Sequence, residues 1–196
     1  GEFGLAHGGV LFIDEAPEFP GATLRAIQSM ANPGMTEQRD ETLVVYSARP
    51  CPCGALGSKR RACSCSEKFT TLYRKRLPDT DMRVSTPTVS TSDFNNPPTL
   101  PPSRVIREQV AAARKMQAER CIAEPNTPIN GRLTESQTLR LIVQSASLEI
   151  CDYVTNLESN ITRSMKIYRV ARTIADLAGR IDLEKADIDE ANGLVA

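Results

Sequence analysis

The stretch GGVLFIDEAPEF, Gly8 to Phe19, decides how this chain is read. Four consecutive apolar residues, Val10 to Ile13, run straight into two acids, Asp14 and Glu15. A short continuous apolar run suits a parallel strand buried on both faces. Unpaired buried carboxylates are expensive, so the acids belong at the strand's end, facing something cationic. One solution is a nucleotide site, with the Asp holding Mg²⁺ through water and the Glu orienting an attacking water. The other is a strand that ends in an ordinary surface turn. The motif alone is short enough to allow both.

Outward from that strand, Pro17 and Pro20 mark a loop, and Ala22 to Met30 reads as a helix with Leu24, Ile27 and Met30 on one face. Asn32-Pro33-Gly34 stops it. Thr42 to Ser47 (TLVVYS) is a second strand by its β-branched content. Strand, helix and strand suggest part of an open α/β sheet, whose ligand sites lie at the carboxyl ends of the strands. Asp14, Glu15 and Arg49 all fall at such ends.

The chain changes character near residue 100. Thr86 to Ser103 carries five prolines and little apolar content, as expected of an extended linker. Helices follow. Ser103 caps one to about Cys121, with Ile106, Val110, Ala113 and Met116 facing inward. Thr134 and Gln137 make a capping box for a helix through Ile150. Arg163 to Ala178, stopped by Gly179, carries the stripe Ile167, Val170, Ile174 and Leu177. Asp182 opens a last acidic helix. The domains expected are 1–85, with strands and a cysteine loop; a linker, 86–103; and a helical subdomain, 104–196.

At 196 residues the chain can bury a core, and 24 basic residues balance 24 acidic ones, so net charge selects no partner. Charge is uneven, however. Cys51 to Pro87 holds eight basic residues, Lys59, Arg60 and Arg61 among them, against three acidic ones. That excess suits nucleic acid or phosphate, or a merely solvated loop. No apolar run approaches the roughly 18 residues of a membrane span, and a cytoplasmic protein is expected.

Cys51, Cys53, Cys63 and Cys65 form two Cys-x-Cys units nine residues apart. In a reducing compartment they look more like a Zn²⁺ site than like disulfides, although zinc ribbons use Cys-x-x-Cys. Four reduced, unmetallated thiols are the alternative. Cys121 and Cys151, alone in helical stretches, read as buried small hydrophobes.

Three segments taken in order carry a resemblance: GEFGLAHGGVLFIDEAPEF, the loop PCPCG…CSC, and YRVARTIADLAG. Together they resemble the magnesium-chelatase-like AAA+ ATPases, in the competence-associated branch implicated in DNA processing and branch migration. The fold this implies is α/β, a partial AAA+ P-loop-type parallel sheet followed by an all-helical lid. By this resemblance Asp14 and Glu15 match the Walker B acids, and Arg169 matches the sensor-2 arginine that reaches the ATP phosphates. Its fixed fork of donors suits phosphate oxygens. Arg172 would be its structural neighbour. Cys51, Cys53, Cys63 and Cys65 match the family's cysteine loop.

The sequence also departs from the pattern. No G-x-x-x-x-G-K-[ST] loop occurs; the resemblance implies that it lies upstream of the Walker B strand, before this stretch. Arg49 stands where the family has a sensor-1 Asn, and Leu77-Pro78-Asp79-Thr80 where it has a finger arginine. The segment between Met30 and Thr42 is shorter than the family's hairpin insertion. The implied parent protein is a ring, expected to be a hexamer, that hydrolyses ATP with Mg²⁺ and acts on DNA. This chain by itself is expected to be inactive. The competing expectations are a zinc-stabilised, non-enzymatic nucleic-acid-binding module and a degenerate paralogue that only assembles with intact subunits.

Overall fold

A computed structural model of the chain describes all residues except 32–41, 59, 88, 90, 98, 122–128 and 196. The fold is α/β, mostly helical with a two-stranded parallel sheet, and divides into two compact units, Gly1–Asp79 and Thr80–Ala196. The Asn32-Pro33-Gly34 helix stop and most of the shortened hairpin segment lie outside the described residues.

In the first unit a short helix α1 (Glu2–Leu5) precedes β1 (Val10–Ile13), followed by α2 (Gly21–Ala31), β2 (Leu43–Tyr46) and α3 (Glu67–Arg74). β1 and β2 run parallel in the register Val10↔Leu43 to Ile13↔Tyr46. Their side chains alternate across the sheet, so Leu11 and Ile13 share one face. That face joins Ala16 and Leu24 in a small core, with Ile27, Val44, Tyr46 and Leu77 against it. The expectation of a strand buried on both faces is corrected: Val10 and Phe12 are each 59% exposed. Among the described residues the sheet has two strands and one covered face.

The second unit holds α4 (Thr91–Asn95), α5 (Ser103–Cys121), α6 (Glu135–Ser145), α7 (Leu148–Leu157), α8 (Ile161–Leu177) and α9 (Lys185–Leu194). Its central element is α8, packed against α5, α6 and α9. Ile167, Ala171 and Ala175 recur every four residues and are fully buried. The parallel row Tyr168, Arg172 and Asp176 is buried too, so α8 presents a broad inward face rather than a narrow stripe. Met82 pairs with Val195 and the Arg83 amide donates to the Leu194 carbonyl, which ties residues 82–83 to the end of α9. The sequence reading drew its boundary a few residues later, after 85.

Several helix expectations need correction. The helix begun at Thr134 does carry its capping box with Gln137, but it stops at Ser145. Ala146 is extended, and Ser147 caps a separate helix by accepting from the Ile150 amide. A serine amid apolar residues can read as helix interior, yet its short side chain favours capping. In α5 only the carboxyl-side half is covered: Ala113 and Gln117 are buried, whereas Ile106 and Val110 are exposed. The helix expected from Arg163 begins at Ile161, capped by Asn160, and Leu177 is exposed. Glu184, not Asp182, caps the last helix. The linker is not wholly extended, since Thr91–Asn95 forms α4. Cys151 is half-buried against the core, and the Cys121 side chain lies outside the described residues.

Two carboxylates make this unit acid-sensitive. Burial opposes ionisation of Asp187, but the Arg180 guanidinium and the Glu184 amide outweigh it and hold the carboxyl below its ordinary value. The Asn160 amide and Arg163 do the same for Glu158. A depressed folded-state value means stability that is present above the unfolded value and lost as pH falls through the folded one. Melting temperature should therefore hold steady down to the ordinary carboxylate range, 3.8 for Asp and 4.5 for Glu, and decline below it. Circular-dichroism melts against pH check this, and Asp187→Asn should flatten part of the decline.

Candidate nucleotide and metal sites

Because β1 and β2 are parallel and in register, the residues after Ile13 and after Tyr46 emerge side by side. This juxtaposition builds the acidic site. The Ser47 amide donates to the Ile13 carbonyl at 2.9 Å, and the Ala16 amide donates back to the Ser47 carbonyl at 2.8 Å. The Ser47 hydroxyl donates to Asp14 Oδ1, and the Glu15 amide reaches Ser47 Oγ and Asp14 Oδ1, both at 3.1 Å. Asp14 is thus anchored through one carboxylate oxygen, while Oδ2 has no partner among the described residues.

Glu15 occupies the left-handed region, with φ 49° and ψ 47°, the one non-glycine residue to do so among those described. That conformation costs a side-chain-bearing residue about 1 kcal/mol. It turns the chain sharply after Asp14 into the 3₁₀ turn Ala16–Glu18. The Glu15 carboxylate then meets Arg49 at 3.2 Å, and Glu18 shares the same guanidinium at 3.5 Å. These partners are roughly half exposed, so the pair contributes at most about 1 kcal/mol and separates easily. Asp14 and Glu15 therefore stand together at the end of β1, beside Ser47 and Arg49. Ser47 was missed by the sequence reading; a serine directly after the second apolar strand was the available signal.

Two residues beyond Arg49 the cysteine loop begins. Cys51, Cys53, Cys63 and Cys65 converge so that all four Sγ atoms lie within 4.8 Å of one another. Cys51 stands 3.5 Å from Cys53 and 3.6 Å from Cys63, and Cys53 stands 3.7 Å from Cys63. The turn needs Gly54, at φ 74°, where an added Cβ would also meet Arg49 Cδ at 3.4 Å. Backbone amides point at sulfur: Leu56 donates to Cys51 at 3.3 Å and Cys53 donates to Cys65 at 3.4 Å. Arg61 donates to the Cys53 carbonyl, so it braces the loop instead of reaching outward.

Proton sharing among the four thiols is lopsided. The Ala55 and Ser64 amides, with the Cys65 thiol, bring Cys53 down to about 5. The Cys65 amide favours the Cys63 thiolate, but burial and the Cys51 and Cys53 thiols outweigh it and push Cys63 up to about 11. Burial opposes ionisation of Cys51, but the Leu56 and Ala55 amides and the Cys63 thiol bring it below its ordinary value, whereas Cys65 is pushed up. The amides thus favour charge on Cys51 and Cys53.

Of the basic residues in this region, Arg76 donates to the Phe19 carbonyl at 3.2 Å, and Lys59 lies outside the described residues. Arg60, Lys68, Arg74 and Lys75 are exposed. Tyr73 is buried and so unavailable for stacking on a base, whereas Phe69 is 67% exposed.

Arg169 belongs to the second unit. Its guanidinium donates to the Leu133 carbonyl at 3.0 Å and lies 4.0 Å from Asp81. Arg172 is fully buried and donates to Asp176 and to the Arg180 and Ile181 carbonyls.

Comparisons with known proteins place the chain in a family. The family model for magnesium chelatase, subunit ChlI, matches residues 1–93, and the model for the ChlI C-terminal part matches 101–194. YifB of Salmonella typhimurium, an uncharacterized protein, is 28% identical over 214 aligned residues, covering 97% of this chain. Escherichia coli YifB is 29% identical, also over 97%, and competence protein ComM of Haemophilus influenzae 27% over 98%. The chain spans 40% of the length of each of these relatives. With two successive models of one family matched in order along nearly its whole length, the chain belongs to the magnesium-chelatase-like family.

Proposed function

We propose that this chain supplies the Walker B part of the nucleotide core and the helical lid of an AAA+ ATPase subunit. The observation that carries this reading is the acidic pair at the carboxyl end of a parallel strand pair, with Asp14 fastened to Ser47 and its second oxygen open. That arrangement fits a carboxylate acting through a metal-bound water, which needs an acceptor fixed in direction. Mg²⁺, when bound with ATP, supplies charge neutralisation of the phosphates. With that ion bound, Asp14 would hold one of its waters, and Glu15, exchanging Arg49 for water, would accept a hydrogen bond from the attacking water and orient it. By the same family resemblance, Arg169 would bind the ATP phosphates.

In the full-length protein, subunits of this kind assemble into a ring, a hexamer, that acts on DNA. The exposed Arg60, Lys68, Arg74 and Lys75 support phosphate contact, and binding through them would weaken steeply with salt. The same residues support a second reading, a non-enzymatic nucleic-acid-binding module.

Binding of a fluorescent ATP analogue to the full-length subunit separates the two. We expect Mg²⁺-dependent binding that weakens about tenfold or more in Asp14→Asn, the loss of one charge-assisted contact. Binding indifferent to both Mg²⁺ and the substitution would reject the nucleotide role of Asp14 and leave the nucleic-acid module standing.

A further inference from the structure

We infer that Cys51, Cys53, Cys63 and Cys65 form a closed tetrathiolate site for one Zn²⁺ ion, which locks the chain leaving β2. The separations among Cys51, Cys53 and Cys63 suit one tetrahedral ion, with Cys65 within 4.8 Å of all three. Zn–S bonds of about 2.3 Å at the tetrahedral angle place sulfurs about 3.8 Å apart. The three separations of 3.5, 3.6 and 3.7 Å fall close to that edge. A polynuclear iron–sulfur cluster needs its cysteine sulfurs spread more widely than the 4.8 Å that encloses this set.

The ligand chemistry selects zinc among single ions. Four soft thiolates suit Zn²⁺ or iron, and the Irving–Williams order places Zn²⁺ above Fe²⁺. With every tetrahedral position taken by protein, the site is structural rather than catalytic. The surroundings fit a bound dianionic Zn(thiolate)₄ unit. Amides of Leu56 and Cys53 donate to its sulfurs, and Arg61 braces the Cys53 carbonyl. Such outer contacts orient ligands and spread their charge.

The site's position gives it a role. Cys51 follows Ser47 and Arg49 by four and two residues, and Cys65 directly precedes Ser66, the residue that caps α3. One ion thus pins both ends of the loop, fixing the exit of β2 and the start of α3. Ser47 and Arg49, which hold Asp14 and Glu15, sit on the pinned side. Metal binding of this kind is coupled to folding, so its removal loosens the acidic site as well as the loop.

The test uses the whole chain, purified under reducing conditions without added metal. Mass spectrometry of metals should find about one zinc per chain. Replacing it with Co²⁺ should give the intense visible bands and sulfur-to-metal charge transfer of tetrahedral cobalt tetrathiolate. A strong chelator should raise the number of fast-reacting thiols by four. Cys63→Ser should abolish stoichiometric zinc and the tetrathiolate spectrum, whereas Cys151→Ser should leave both unchanged. The thiol count on the unaltered chain stands even if Cys63→Ser fails to fold. Metal-free protein whose thiol reactivity ignores the chelator would overturn the inference. So would stoichiometric iron, or a six-coordinate cobalt spectrum.

Discussion

Asp176→Ala should destabilise the helical unit by about 3–5 kcal/mol, the cost of leaving buried cations without their partner. Four donors converge on this carboxylate, whose side chain is fully buried. Arg120 grips both oxygens at 2.6 Å, Arg172 Nε donates at 3.1 Å and Asn130 donates at 2.8 Å. Burial already pulls the Arg172 guanidinium below its ordinary value, and Asp176 is the principal group opposing that shift. Remove the acid, and Arg172, itself fully buried, keeps its charge with only carbonyl acceptors beside it. Such a loss is a large share of the total stability of a small domain, about 5–15 kcal/mol. Denaturant unfolding followed by helical signal measures it. The surface pair Arg104–Glu108, exposed on both sides, supplies the contrast: Glu108→Ala should cost about 0.5 kcal/mol or less. If the two variants unfold at similar denaturant concentrations, the buried network is not what holds α8 to α5.

That network marks where reading from sequence stopped. The apolar stripe Ile167, Val170, Ile174 and Leu177 identified α8 as a core helix, although of these only Ile167 is fully buried and Leu177 is exposed. It did not reveal that Arg172 and Asp176 lie inside as well. Charged residues at i and i+4 ordinarily signal a solvated face, and only the convergence of Arg120 and Asn130 from other segments makes this pair interior. The acidic site shows the same division. Val10–Ile13 followed by Asp14 and Glu15 was legible, since a strand end is the place for two carboxylates. Ser47 was not, because its role depends on the parallel register that sets it beside Asp14. The helix break at Ala146–Ser147 was hidden for a local reason: a serine cap inside an apolar stretch leaves no glycine or proline behind. The four cysteines were legible as a set, while their convergence is a property of the folded loop, with Gly54 in the left-handed region at its turn.

Glu15→Gln should reduce ATP turnover by the full-length subunit by about 10²–10⁴-fold, the usual contribution of a positioned general base. Nucleotide binding should survive, because the two acids are held differently. Asp14 is fixed by the Ser47 hydroxyl and the Glu15 amide, an arrangement suited to a metal's hydration shell. Glu15 is tethered only by a half-exposed ion pair with Arg49, which leaves its carboxylate free to exchange that partner for a water. Glutamine preserves the size of the side chain, and the left-handed backbone imposes the same penalty on both residues, so folding should not change. Glutamine keeps a carbonyl oxygen to hydrogen-bond the water but lacks the negative charge that draws its proton. The expected signature is therefore a fall in kcat with the Mg²⁺-ATP dissociation constant altered by less than about threefold, well under one charge-assisted contact. Asp14→Asn should give the opposite pattern, weakened binding first. Turnover by Glu15→Gln at the unaltered rate would make Glu15 a turn residue whose carboxylate does no more than meet Arg49. Equal loss of binding in both variants would mean that the acids act as one metal-holding pair, with the attacking water oriented by some other group.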